Sequence, residues 1–169
     1  MARLFIFCPF CTTRLNTRVI NDIERKVCPS CGYIQWRNPV VGAAIIVMEE
    51  GRILLGKRSR GEYKDHWCIP CGYVEYQEEI REAAAREFFE ETGLKVSIGE
   101  VYTAHSNFHN PDLHTVGVWF RAQVTGGKMS ASDDLSDVAF FSLDALPQPM
   151  AFPTDLEVLA SLKKETGEK

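Results

Sequence analysis

Gly72 to Leu94 reads GYVEYQEEIREAAAREFFEETGL, and the fold of the whole chain turns on how that stretch is read. Seven of the seventeen residues from Glu75 to Glu91 are glutamates. Ala83 to Glu91 holds no Pro or Gly and is rich in strong helix formers, so it is predicted to be helical. With about 100° between successive residues, Glu87, Glu90 and Glu91 fall on one arc roughly 100° wide. Ala84, Ala85, Phe88 and Phe89 take the neighbouring arc and are expected to pack on a core. Thr92-Gly93 should close the helix, with Gly93 in the left-handed position that follows many helix ends.

Three carboxylates on adjacent turns repel one another, so the pattern costs stability unless a positive charge sits among them. A hard divalent cation is the simplest partner. Mg²⁺ fits best, because it takes a few carboxylates and completes its shell with water and phosphate oxygens. The ordinary alternative is a solvated, glutamate-rich surface helix. The wider spacing decides between them: Gly72, five residues, Glu78, seven residues, then Arg86-Glu87-Phe88-x-Glu90-Glu91-x-Gly93-Leu94. That pattern matches the Nudix box at every fixed position, a coincidence on the order of 10⁻⁹ per register at average residue usage. The chain resembles a Nudix hydrolase.

The resemblance covers roughly residues 40 to 165 and implies an α/β fold. That fold is an α/β/α sandwich with a mixed sheet, the box forming a loop-helix-loop across it. It implies hydrolysis of a nucleoside diphosphate linked to another group, with Mg²⁺ or Mn²⁺ held by Glu87, Glu90 and Glu91. Glu78 and Arg86 join the catalytic set as supports that orient the loop and the ligands. Gly72 opens the box beside the cofactor. Nudix enzymes often add an acid from the region of Asp133, Asp134 and Asp137, and Asp134 is the candidate here, although Glu is usual at that place.

A length of 169 residues accommodates one ordinary domain plus a small module. With 45% hydrophobic and 25% charged residues and a net charge of −4, the composition is that of a soluble globular protein. No run of eighteen apolar residues exists, so no membrane partner is expected. The opening MARLFIFCPF is too short an apolar run for a signal peptide, and a cytoplasmic location is expected. Charge is uneven: residues 1–39 carry +4 and residues 40–169 carry −8. This asymmetry suggests two modules, a zinc ribbon over 1–37 and the hydrolase domain over 38–169.

The first module rests on Cys8-Pro9-Phe10-Cys11, sixteen residues, then Cys28-Pro29-Ser30-Cys31-Gly32. Two Cys-x-x-Cys knuckles at this separation fit tetrahedral Zn²⁺ held by Cys8, Cys11, Cys28 and Cys31. Disulfides are the alternative, disfavoured where thiols stay reduced. Residues 12–27 are expected to supply two short strands. So small a segment cannot build a core alone, and its metal should drive its folding. Its charge is too mild for a strong nucleic-acid footprint, so a nucleic-acid partner is not expected. A structural or dimerising appendage is the favoured role, with a homodimer as one outcome it allows. Trp36-Arg37-Asn38-Pro39 crosses between modules.

In the second module, Val40 to Met48 is a continuous apolar run and reads as a buried strand. Glu49-Glu50-Gly51 is the turn, and Arg52 to Lys57 returns as a second strand. Lys57, Arg58 and Arg60 end it with a positive cluster that could meet phosphate. Cys68 and Cys71 form a third Cys-x-x-Cys. Side chains three apart in an extended stretch should point apart, so both are read as small, partly buried residues. Residues 95–106 and 114–124 read as strands, 126–137 as a polar loop, 138–141 as a short strand and 155–164 as a helix. His105, His109 and His114 are read as loop residues shaping a pocket.

A zinc ribbon ahead of such a domain resembles the NADH pyrophosphatase branch and its relatives that cleave ADP-ribose or FAD. The Ser-Gln-Pro-Trp-Pro-Phe-Pro motif usual in the NADH branch does not follow Leu94. Only a faint likeness, Gln148 to Pro153, stands more than fifty residues downstream. A small-molecule nucleotide is the expected substrate, in the order FAD, ADP-ribose, NADH. Two alternatives stand beside it: a non-catalytic nucleotide-binding module, and a nucleic-acid-binding protein acting on RNA caps through Arg14, Arg18, Arg25 or Lys26.

Overall fold

The computed structural model describes residues 4–167. Its contacts divide the chain into two units: the described residues through Pro39 with Asn110–Leu113, and Val40–His109 with the residues from His114 onward.

In the first unit, β1 (Asn16–Ile20) and β2 (Ile23–Val27) form an antiparallel hairpin. Asn21 and Asp22 make its turn with φ of 50° and 61°. Both residue types tolerate this left-handed conformation, which matches the twist of a two-residue hairpin loop. A two-residue strand, β3 (Ile34–Gln35), pairs with β2. Its small buried cluster contains Cys8, Leu15 and Cys28, so thiols replace most of a hydrocarbon core.

The second unit is a mixed sheet. Its strands are β4 (Val40–Glu49), β5 (Arg52–Arg58), β6 (Trp67–Cys68), β7 (Cys71–Tyr73), β8 (Leu94–Asn107), β9 (Thr115–Gly127) and β10 (Leu135–Ser142). Its helices are α1 (Ile80–Thr92) and α2 (Pro153–Gly167). The strand order is β10-β5-β4-β9-β8, with β6 paired to β5 and β7 to β4. β4 and β9 run parallel, and the other pairs are antiparallel.

β4 is apolar throughout because both of its faces are buried. Ala43, Ile45 and Val47 join Leu54, Phe120 and, from α1, Ala84 and Phe88 in one core. Ala44 and Ile46 join Ile53, Leu55, Trp119 and, from α2, Val158, Leu159 and Leu162 in a second. Each helix therefore covers one face of the sheet, giving the α/β/α sandwich expected from the box. The turn at Glu50 and Gly51, with φ of 48° and 75°, closes the β4–β5 hairpin as expected.

Three details depart from the sequence reading. The helix starts earlier, at Ile80, with Glu79 as its cap: the Glu79 side chain accepts from the N–H groups of Arg81 and Glu82. Its buried stripe is Ala83, Ala84, Phe88, Glu91 and Thr92, whereas Phe89 is exposed. The last strand begins at Leu135, inside the segment read as a loop. It is an edge strand with a bulge between Leu135 and Asp137, so polar Ser136 and Asp137 face outward at no cost.

Candidate active site

The box folds as a loop, a helix and a return, and its parts are tied to one guanidinium. Arg86 grips Glu78 in a fork, Nε to Oε1 at 2.7 Å and Nη2 to Oε2 at 2.8 Å. The same group donates from Nη1 to Glu87 Oε1 at 2.8 Å and to Glu90 Oε2 at 3.2 Å. Nη2 also reaches the Tyr73 carbonyl at 3.3 Å. Planar Arg suits such divided bidentate work, which Lys could not do. The Arg86 fork, helped by the Glu75 N–H, holds Glu78 down at about 2, so Glu78 stays charged.

Two backbone features seat the remaining carboxylates. Gly72 packs directly under Glu87: a Cβ there would collide with the Glu87 carboxylate. Only glycine leaves that space. The Cys71 N–H donates to Glu91 Oε2 at 3.0 Å. Glu91 is 2% exposed, at the centre of the helix's core stripe. Burial, then the nearby Glu87 charge, pushes its carboxyl up to about 8. A buried carboxylate in that state wants a cation.

The third contribution comes from outside the box. The segment after β9 is laced to the end of α1: the Ser130 N–H donates to the Thr92 carbonyl at 2.8 Å and the Ser132 N–H to the Glu91 carbonyl at 3.1 Å. Two residues on, the Asp134 carbonyl accepts from the Ser59 N–H at 2.7 Å. Asp134 thus stands between α1 and the end of β5, pairing with Arg58 at 3.9 Å and with Arg60. Of the basic cluster, Arg58 lies inward, its field and that of Asp134 both reaching Glu91, while Lys57 pairs with Asp65 at 3.8 Å.

Glu78, Arg86, Glu87, Glu90, Glu91, Gly72 and Asp134 are therefore neighbours in space. Among the described residues, the group of three or more ligand atoms lying within 4.8 Å of one another is the four cysteines. The glutamates share an arc without closing to that distance, with Arg86 drawing Glu87 and Glu90 toward itself. In the first unit, Cys8 Sγ lies 3.6 Å from Cys31 Sγ, and Cys11 Sγ lies 3.4 Å from Cys28 Sγ and 3.6 Å from Cys31 Sγ. Four sulfurs at the corners of a tetrahedron around Zn²⁺ would stand about 3.8 Å apart, since Zn–S is about 2.3 Å. Bonded sulfurs would lie at about 2.05 Å. The donor set and spacing fit the metal, and all six cysteines are free thiols.

The three histidines do not converge. His105 faces Glu157 at 3.4 Å and Trp119, His109 meets Tyr63 and Phe152, and His114 meets Phe108. Cys68 and Cys71 were expected to point apart, but their thiols interact. That contact, with burial, raises the Cys71 thiol well above its ordinary range. Ile69 and Pro70 separate β6 from β7, with Cys68 buried in the α1-side core and Cys71 half-buried against the other.

Sequence reasoning missed Asp155, a buried carboxylate near the start of α2. Its Oδ2 accepts from the Ile69 N–H at 2.9 Å, anchoring the segment that leads into Cys71 and Gly72. The signal was an Asp in the first turn of a helix, too common to single out.

Comparison with known proteins identifies the family. Residues 36–162 match the family model of the NUDIX domain. The chain is 33% identical over 117 residues to an ADP-ribose pyrophosphatase of Methanocaldococcus jannaschii, covering 69% of each protein. It is 32% identical over 146 residues to the NAD-capped RNA hydrolase NudC of Pseudomonas aeruginosa, covering 83% of this chain and 49% of that protein. The chain thus spans about half the length of the NudC relatives it matches. A crystal structure of a NUDIX hydrolase from Nitrosomonas europaea superposes with a TM-score of 0.84 at 27% identity, covering 96% of this chain and 93% of that one. The chain belongs to the Nudix hydrolase family. No helix among the described residues is long and apolar enough to cross a membrane.

Proposed function

We propose that this chain is a Mg²⁺- or Mn²⁺-dependent pyrophosphohydrolase. It cleaves the diphosphate of a nucleoside diphosphate linked to another group and releases a nucleoside monophosphate. The observation that carries this reading is the way Gly72, the Cys71 N–H and Arg86 hold Glu87, Glu91 and Glu90 on one arc, with Glu91 buried beside the Glu87 charge. ADP-ribose moves to the head of the expected substrates, supported by the ADP-ribose pyrophosphatase of M. jannaschii.

Glu87, Glu90 and Glu91 are the residues that would hold the cation, all oxygen donors suited to a hard ion. Bound there, the ion would neutralise the diphosphate and acidify water. Glu91, once deprotonated, is fixed by the Cys71 N–H, which takes up Oε2 and leaves Oε1 as the oxygen that would meet the cation. Arg86 orients Glu87 and Glu90, and Glu78 orients Arg86. Arg58, paired with Asp134, places a guanidinium where a phosphate oxygen can share it. In the first unit, Cys8, Cys11, Cys28 and Cys31 would hold a structural Zn²⁺, with the hydrolase unit beginning near residue 38.

One observation favours a second reading, action on nucleotide-capped RNA. Arg25 lies over the exposed Trp36 ring at 4.2 Å, a pair able to stack a base. The test is product analysis with ADP-ribose, FAD, NADH and NAD-capped RNA in Mg²⁺, beside Glu90→Gln and Glu91→Gln. AMP release lost in both variants, by more than the roughly 10–100-fold typical of a ligand's supporting partners, is the expected result. Turnover unchanged in either variant would remove these glutamates from the reaction. Capped RNA outrunning ADP-ribose would select the second reading.

A further inference from the structure

Four ring side chains from three distant segments meet beyond Arg58, and the reaction described above uses none of them. Tyr63 and His66 come from the turn after β5, His109 from the loop after β8, and Phe152 from the residue before α2. Tyr63 meets Phe152 edge to face at 5.4 Å between centroids, His109 at 5.9 Å and His66 at 5.8 Å. His109 and Phe152 lie 5.4 Å apart, tilted by only 35°. Tyr63 and Phe152 rest on the α1-side core, so one side of the cluster is anchored. The other side is open: His109 is exposed, and Tyr63, His66 and Phe152 are half-buried.

What lies next to the rings says what they face. The Arg58 guanidinium lies 5.5 Å from the Phe152 ring, and its Nε is buried with no partner among the described residues. Arg58 in turn pairs with Asp134, beside the carboxylate arc. The order is rings, guanidinium, carboxylates. A nucleoside diphosphate presents a matching order: the base, then across the ribose the scissile diphosphate. The oxygens of that diphosphate would meet the guanidinium on the near side and a carboxylate-held cation beyond it. Aromatic faces accept any base by stacking, and a guanidinium at their margin adds attraction for phosphate.

Resting on the function proposed above, we propose that Tyr63, His109 and Phe152 form the nucleobase subsite, with the base stacked on the open His109–Phe152 side and Arg58 at the adjoining phosphate. These rings touch no reacting atom. They set affinity and leave the chemical step alone, so their loss raises KM and spares kcat.

The experiment uses the full chain, with ADP-ribose turnover in Mg²⁺ and binding of 2-aminopurine riboside 5′-monophosphate, whose fluorescence falls on stacking. Ribose 5-phosphate serves as the base-free control. His109→Ala, at an exposed position, and Phe152→Leu are the variants, each checked by thermal melting; if Phe152→Leu does not fold, His109→Ala decides alone. The expected result is a KM raised on the order of 10-fold or more, as stacking on an aromatic contributes. With it go kcat within about twofold, lost quenching and unchanged ribose 5-phosphate affinity. Normal turnover with KM and quenching unaltered in the variants, or with no quenching in the wild type, overturns the subsite and leaves the hydrolase reading intact. No turnover of any dinucleotide by the wild type overturns both.

Discussion

Gly72 and Asp155 bracket the short path by which the backbone reaches the carboxylate arc. Because a Cβ at Gly72 meets the Glu87 carboxylate, Gly72→Ala must move Glu87 or the strand beneath it. We expect kcat to fall by roughly 10–100-fold with the melting transition lowered but still cooperative, the magnitude typical of a disturbed ligand support. Steady-state kinetics beside a thermal melt would check it, and wild-type kcat would contradict it. Asp155 carries a pH signature. Burial raises its carboxyl from an ordinary 3.8 to about 7. Its folded-state pKa lies above the unfolded one, so its contribution to stability is complete below about pH 3.8 and is lost as pH rises through 7. Asp155→Asn keeps an acceptor for the Ile69 N–H without that loss. Relative to the variant, the wild type should lose roughly 1–3 kcal/mol between pH 5 and pH 8, read from urea midpoints. Parallel curves would contradict the assignment. Neither residue announces itself equally in the chain: Gly72 stands in a motif with fixed spacing, whereas the burial of Asp155 and Glu91 depends on what packs over them, which no helical wheel contains.

At the scale of elements, α1 was legible in type and end, and less so in start and face. Gly93 closes it at φ 70° with its N–H on the Phe89 carbonyl, as a glycine after a helix end should. The cap is a glutamate, an unusual choice, so periodicity from Ala83 underestimated the helix by a turn. Glu79→Ala removes the side chain that accepts from two N–H groups, and should cost about 1 kcal/mol in urea unfolding at unchanged m-value; a loss of only a few tenths would show that water substitutes for the cap. β4 and β5 were readable because apolar runs and a Glu-Gly turn are local signals. The first half of β10 was not, since an edge strand may be polar on its open side. The contact between the Cys68 and Cys71 thiols was hidden for another reason: it depends on how the short strands β6 and β7 are set against the two cores.

At the scale of the molecule, the two units differ in what holds them. The second has two apolar cores on opposite faces of one sheet. The first has a buried cluster of two cysteines and a leucine, too little to offset chain entropy without a cross-link. A strong chelator should therefore melt β1–β3 while leaving the mixed sheet folded, seen as loss of amide protection confined to residues before about 38, with one Zn²⁺ released per chain. Retained protection there would remove metal from its folding. The second unit's two-sided core has a different consequence, at the level of frame. In most strands, alternation of apolar and polar residues says which side each residue faces. β4 is apolar on both sides, so that code is silent, and its frame is counted instead from the Glu50-Gly51 turn and from the parallel partner β9. One residue inserted between Val47 and Glu50 would trade the occupants of the two cores, Ile45 and Val47 for Ala44 and Ile46, while a hydropathy plot of the chain would barely change.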